Sequence, residues 1–198
     1  MRIVAISGQA RHGKDTAAQF LKDNLETKGK KVVIMHYADL LKYICTTFLG
    51  WDGEKDEKGR SLLQHVGTDI VRNKRPNFWV DFIGDILELF NDEWDYVIIS
   101  DARFPNEINR LKERGFDVIH VRVKRIGFEN SLTNEQKNHL SETAMNNYPE
   151  DVLLINESLK QLEKEVNSFA SALTILNKNE DTYEQLSLFE KIPYAEGA

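Results

Sequence analysis

Apolar positions along this chain fall into two alternating patterns, short continuous runs and runs spaced three or four apart. The continuous runs lie in RIVAIS at the N-terminus, KVVIMH at 31–36, DYVIIS at 95–100, DVIHVRV at 117–123 and DVLLIN at 151–156. Their length and β-branched content are those of strands buried on both faces. Helical spacing holds from Lys14 to Leu25, with apolar residues at 17, 18, 21 and 25 and Gly29 placed to close the helix. It returns from Ala38 to Leu49, where Leu40, Leu41, Ile44, Cys45, Phe48 and Leu49 form the apolar side. From Arg60 a third helix carries Leu62, Leu63, Val66, Ile70 and Val71; Pro76 breaks it before another helix that runs through Phe90. Asn106 to Arg114 is a short helix stopped by Gly115, and a last helix turns Leu159, Leu162, Val166 and Phe169 inward.

Strands alternating with helices predict an α/β fold, a five-stranded parallel sheet covered on both faces. Between these elements, 51–59 reads as a charged, solvated connection. Lys124 to Glu142 is polar, with Thr133 and Gln136 spaced as a capping box for a short lid helix. Ser158 and Gln161 repeat that spacing before the last helix, and from Asn177 the chain is a weakly patterned tail in which LSLF and IPY are placed to dock on the body. Gly67, costly inside a helix, calls for close packing or a ligand's approach.

Composition narrows the class. With 198 residues, 41% of them hydrophobic, the chain can build a core without disulfides or a structural metal. The single cysteine, Cys45, sits in an apolar run and reads as a buried thiol of a reducing compartment. The N-terminal strand is too short for a secretory leader, and no run is long enough to span a bilayer. A cytoplasmic protein with no membrane partner is expected. The net charge of −6, with basic clusters at 60–75 and 103–125, suits small anions better than a nucleic-acid backbone.

Chemistry enters between the first strand and the first helix. Gly8, Gly13 and Lys14 fit the G-x-x-x-x-G-K frame of a phosphate-binding loop, in the strand-loop-helix context the motif requires. Glycines let successive N–H groups face an anion, and the helix start adds its positive dipole end. Lys14 supplies a mobile charge, with Arg11 and His12 in the same loop. The frame places Ser or Thr after the lysine as a Mg²⁺ ligand; here Asp15 stands there and Thr16 follows. Asp15 can hold Mg²⁺ or a metal-bound water, or simply favour the first helical turn. Asp101 and Arg103, at the carboxyl end of the third run, stand where open α/β sheets bind ligands. Asp101 is therefore expected to organise Mg²⁺ or an acceptor, the alternative being a cap on the turn before Pro105.

Five segments together resemble the deoxynucleoside monophosphate kinases of tailed bacteriophages, within the P-loop nucleoside-phosphate kinases. They are SGQARHGKDT, ADLLK at 38–42, LLQHVGTDIVR at 62–72, ISDARFPNE at 99–107 and HLSE at 139–142. The G-K-D-T form looks like the variant these kinases carry, and phosphomevalonate kinases of animals resemble it too. The resemblance implies a P-loop kinase three-layer fold over 1–176, with a helical acceptor-binding segment at about 38–92, a lid at about 124–142 and a tail at 177–198. It implies ATP and Mg²⁺ as cofactors and a deoxynucleoside monophosphate as acceptor; a homodimer is possible.

A monophosphate has a second pKa of about 6, so its attacking oxygen is already anionic and needs no general base. The protein must hold two repelling phosphates in line, which calls for cations from several directions. Lys14 is expected to serve the donor, Arg72 and Arg103 with Lys42 and Gln64 to hold the acceptor, and Arg122 and Arg125 to close over the transferring group. Arg122 can equally form a structural ion pair within its strand, and Asp39 can cap a helix. Rival readings are a kinase of dephospho-coenzyme A or phosphomevalonate and a non-catalytic nucleotide binder. A GTPase is disfavoured because the residues from Asp101 lack the D-x-x-G arrangement.

Overall fold

Along the central strand, Val4 and Ile6 point to one side of the sheet, Ile3 and Ala5 to the other, and all four are buried. The computed structural model describes residues 1–128 and 132–176. Its strands are β1 (Arg2–Ser7), β2 (Val32–Met35), β3 (Tyr96–Ala102), β4 (Asp117–Arg125) and β5 (Val152–Asn156). They form one sheet in the order β2-β3-β1-β4-β5, parallel throughout. The predicted five-stranded, two-faced α/β architecture is what the chain adopts.

On one face α1 (Lys14–Thr27) and α8 (Leu159–Leu176) bury Leu21, Leu25, Leu162, Val166 and Phe169. On the other lie α2 (Ala38–Leu49), α4 (Phe78–Leu89) and α5 (Pro105–Glu113), whose Leu41, Trp79, Ile83, Ile108 and Leu111 complete the second core. α3 (Glu57–Gln64) leads into a π-helical segment, His65–Arg72, between α2 and α4. Two short helices, α6 (Asn134–Asn138) and α7 (Leu140–Thr143), lie in the segment expected to form a lid, and Thr133 caps α6 in the predicted capping box. No helix among the described residues is long and apolar enough to cross a membrane.

Several boundaries differ from those the sequence predicts. β3 continues through Asp101 and β4 through Arg125, because ladder pairing to β1 and β5 persists past the apolar residues. The 51–59 connection is partly structured: Trp51 is buried and donates from Nε1 to the Glu54 carbonyl, and α3 begins at Glu57. On α2 only Leu41 and Cys45 are buried; Phe48 and Leu49 face outward, since the helix touches the body along a narrow stripe. Leu159, at the first turn of α8, is also exposed, while Gln161 N–H does donate to Ser158. Gly67 is explained by packing: a Cβ there would lie 2.7 Å from Leu41 Cδ2, and its carbonyl accepts from Trp79 Nε1. The tail 177–198, with LSLF and IPY, and lid residues 129–131 lie outside the described residues.

Candidate active site

The loop between β1 and α1 is clamped from below and from the side. Gly8 has φ 147°, and a Cβ there would stand 2.4 Å from the Val123 carbonyl oxygen. Gly13 has φ 96°, and its Cβ would stand 2.7 Å from Asn156 Nδ2. Both glycines are thus required by conformation and by crowding. Asn156, at the end of β5, donates to the His12 carbonyl at 2.9 Å. Beneath the loop, Ser7 Oγ lies 2.7 Å from His120 Nε2, and His120 Nδ1 donates to the Pro149 carbonyl. Arg11, at φ 63°, holds the left-handed turn that aims the loop.

Lys14 folds back over this loop, donating from Nζ to the carbonyls of Gly8 (2.9 Å) and Gln9 (3.0 Å). Burial, and next the neighbouring Arg103, push its ammonium down to about 8. Asp15 is well exposed and accepts from Ser100 Oγ at 2.7 Å. His12, expected among the cofactor contacts, has its ring buried against β4, where Nδ1 accepts the Arg125 N–H and burial lowers its pKa.

Two hollows, each of roughly 380 Å³, share Arg11, Lys14 and Asp15 in their linings. The first lies along the loop and is lined by Arg11, Thr16, Arg125, Asn156 and Ser158. The second, also lined by Gln136 and Glu142 from the two short helices, gathers Lys42, Gln64, Arg72, Asp101 and Arg103, five predicted residues from three separate stretches. Lys55 and Arg60, from the supposedly solvated connection and its helix, line it too.

Within that second hollow most charges are already paired. Asp101 accepts the backbone N–H groups of Tyr37 (2.9 Å) and Ala38 (3.0 Å), one on each oxygen. It therefore caps the start of α2 and not the turn before Pro105, while still lining the second hollow. Arg72 pairs with the buried Glu107, donates to Asn106 (3.1 Å) and lies 3.7 Å over the Phe104 ring. Glu107 also accepts the N–H groups of Arg103 and Phe104; burial pushes its carboxyl up, and Arg72 pulls it back. Lys42 pairs with Asp39 at 2.8 Å. Arg103 bonds Glu142 and the Ser141 carbonyl.

Of the two arginines expected over the transferring group, one lies elsewhere. Arg122 is in neither hollow: it pairs with Glu150 at 2.8 Å and donates to the carbonyls of Met145 and Tyr148, so it is structural. Arg125, expected to close over the transferring group, ends β4 at the first hollow, its guanidinium 4.3 Å from the Phe128 ring. Glu107, Ser100 and Asn156 were not singled out from the sequence. Each follows a strand or helix end closely, a positional signal that their ordinary residue types did not strengthen.

Residues 29–166, more than half of the chain, match the sequence family described as deoxynucleotide monophosphate kinase. The chain belongs to that family. The family match starts after the phosphate-binding loop, so the loop geometry and the match are separate observations. It takes in the second hollow's Lys42, Gln64, Arg72, Asp101 and Arg103. The deoxynucleotide monophosphate kinase of Enterobacteria phage T4 is 32% identical over 117 residues, 58% of this chain and 46% of that one. A relative in Acanthamoeba polyphaga mimivirus is 28% identical over 183 residues, covering 79% of this chain and 89% of that one. The chain spans about half the length of the phage deoxynucleotide monophosphate kinases it matches, 46% for T4 and 42% for RB69. Among solved structures, an APS kinase of Mycobacterium tuberculosis superposes with TM-score 0.46 at 12% identity, covering 90% of this chain and 97% of that one. That likeness is too distant to bear on function.

Proposed function

We propose that this chain transfers the terminal phosphoryl group of ATP to a deoxynucleoside monophosphate. The observation that carries the reading is the meeting of two hollows at Lys14 and Asp15, one along the phosphate-binding loop and one lined by cations beneath a lid. In-line transfer needs a donor and an acceptor brought to one migrating group, and two hollows that share Lys14 and Asp15 suit that need. The first hollow takes the donor, with Arg11 and Arg125 at its mouth. The second takes the acceptor, whose phosphate is drawn by Arg103 and whose nucleoside lies towards Gln64, Lys42 and Trp79.

The acceptor phosphate is dianionic at neutral pH, so no side chain need remove a proton. Catalysis rests on position and charge: Lys14 moves from its own carbonyls to the donor phosphates, and Arg103 neutralises the group in transit. Arg72 acts indirectly, fixing Glu107, which in turn holds the backbone at Arg103.

Mg²⁺ prefers hard oxygen ligands and keeps several waters when phosphates share its binding. The exposed carboxylate of Asp15, anchored by Ser100, fits such an ion, with the Thr16 hydroxyl beside it in the donor hollow. When bound, the ion would neutralise donor charge. The reading also includes a homodimer, for which Tyr43, Phe48 and Leu49 on α2 offer an exposed apolar surface.

A coupled assay of ADP formation, with each common deoxynucleoside and ribonucleoside monophosphate in turn, tests the reaction. Acceptor-dependent turnover with at least one deoxynucleotide is expected. ADP formation that ignores every acceptor would remove the acceptor assignment.

A further inference from the structure

The acceptor hollow already contains an anion. Glu142, on α7, is almost fully buried; Oε1 pairs with Arg103, and Oε2 accepts the Ala10 N–H of the phosphate-binding loop at 3.2 Å. It also faces Lys14 closely enough to counter the fall in that residue's pKa. A guanidinium and a loop N–H meeting on one carboxylate are donors that a phosphate would take there.

The same contacts fasten the lid. α7 spans only four residues, too few to persist without tertiary support, and Leu140 on it is exposed. Arg103 reaches α7 twice, at Glu142 and at the Ser141 carbonyl, and Ala10 reaches it once. Immediately after it, Met145 is buried in the core and its carbonyl is held by Arg122. The chain thus has a fixed end at Met145 and a polar attachment at Glu142. On the same lid, Gln136 Nε2 is buried without a hydrogen-bond partner among the described residues.

We propose that Glu142 is a displaceable placeholder for the acceptor phosphate: the incoming phosphate takes Arg103 and the Ala10 N–H, and α7 is released from the loop. This rests on the reading of the second hollow as an acceptor site. Two consequences follow. While Glu142 is seated, Arg103 is neutralised and unavailable to a donor phosphate, which restrains transfer to water before an acceptor arrives. Once displaced, the lid is free to repack around the bound nucleotide.

Calorimetric titration of inorganic phosphate into the full chain, with and without ADP, reads the competition without turnover. If the seated state is favoured about tenfold, Glu142→Gln binds phosphate roughly tenfold more tightly than the native chain. Glu142→Ala does the same, which ties the gain to the lost carboxylate and not to a new amide contact. In the native chain, phosphate or a deoxynucleoside monophosphate speeds hydrogen exchange across 139–144, while ADP alone does not; in Glu142→Gln that exchange is already fast. Phosphate binding that is absent, unchanged or weaker in both variants overturns the proposal, as does lid exchange indifferent to phosphate. A lid that answers to ADP and not to the monophosphate overturns the acceptor-side assignment. Failure of the kinase reading is distinguishable, because it appears as missing ADP formation while the phosphate titration still reports on Glu142.

Discussion

Lys14 shows how one residue's surroundings set a measurable property. Its ammonium, lowered to about 8 chiefly by burial, is only just charged in the free chain above neutrality. A bound phosphate restores the proton, so donor binding takes up a proton as pH rises past that value. Affinity for ADP should accordingly fall by about tenfold per pH unit above pH 8, and Lys14→Met should bind weakly with a flat profile. Titration calorimetry between pH 7 and 9.5, in buffers of different ionisation enthalpy, measures both the affinity and the proton; a flat native profile would refute the assignment. Arg122 makes the contrasting case. Its ion pair with Glu150 and its two carbonyl bonds tie the end of the lid to β4. Arg122→Met should cost about 2 kcal/mol of stability, seen as a lower Tm, with little loss of donor affinity. A large kinetic defect at unchanged Tm would return Arg122 to the site.

At the scale of elements, the acceptor hollow depends on how α2 and the π-helical segment meet. Asp101 caps α2 from β3 and so positions Lys42. Asp101→Ala should lower stability by about 1–2 kcal/mol and raise the acceptor KM, while the Mg²⁺ dependence of kcat stays as it was. A shifted Mg²⁺ titration would instead place Asp101 on the metal. Gly67 sets the other side of that contact, because a methyl group there meets Leu41 at 2.7 Å. Gly67→Ala should cost about 1–3 kcal/mol through overpacking and distort the hollow's wall. Thermal denaturation with acceptor kinetics would show the two effects moving together.

Across the whole molecule, the proposed reaction assigns two tasks to two linings. Residues from β4, β5 and the loop line the proposed donor hollow, and residues from α2, α3 and the end of β3 line the proposed acceptor hollow. Arg125→Ala should therefore weaken ADP binding by about 1 kcal/mol or more and leave the acceptor KM nearly intact. Lys42→Ala should raise the acceptor KM and leave ADP binding alone. Equal effects of both substitutions on both ligands would contradict the division.

The phosphate-binding loop, the parallel sheet and the family were legible along the chain because each rests on local pattern: a buried run, a helical period, or glycines at fixed offsets. Lys14, Asp101 and Arg103 could be picked out as candidates from motif and strand-end position, and Lys42 and Gln64 from the family resemblance; the fold brings all five to one hollow. Which of their charges are already engaged was not legible. Asp101 finds its partners at Tyr37 and Ala38, Arg72 at Glu107, and Arg122 at Glu150 and Met145. Those pairings join residues 23 to 64 positions apart, brought together by chain reversals that no local period encodes. Glu142 is the extreme case, an acidic residue in a polar stretch whose partner at Ala10 lies 132 positions away. A strand's pattern is set by which face is buried, so it survives in sequence. An ion pair is set by where two elements cross, and that exists only once the sheet has ordered them.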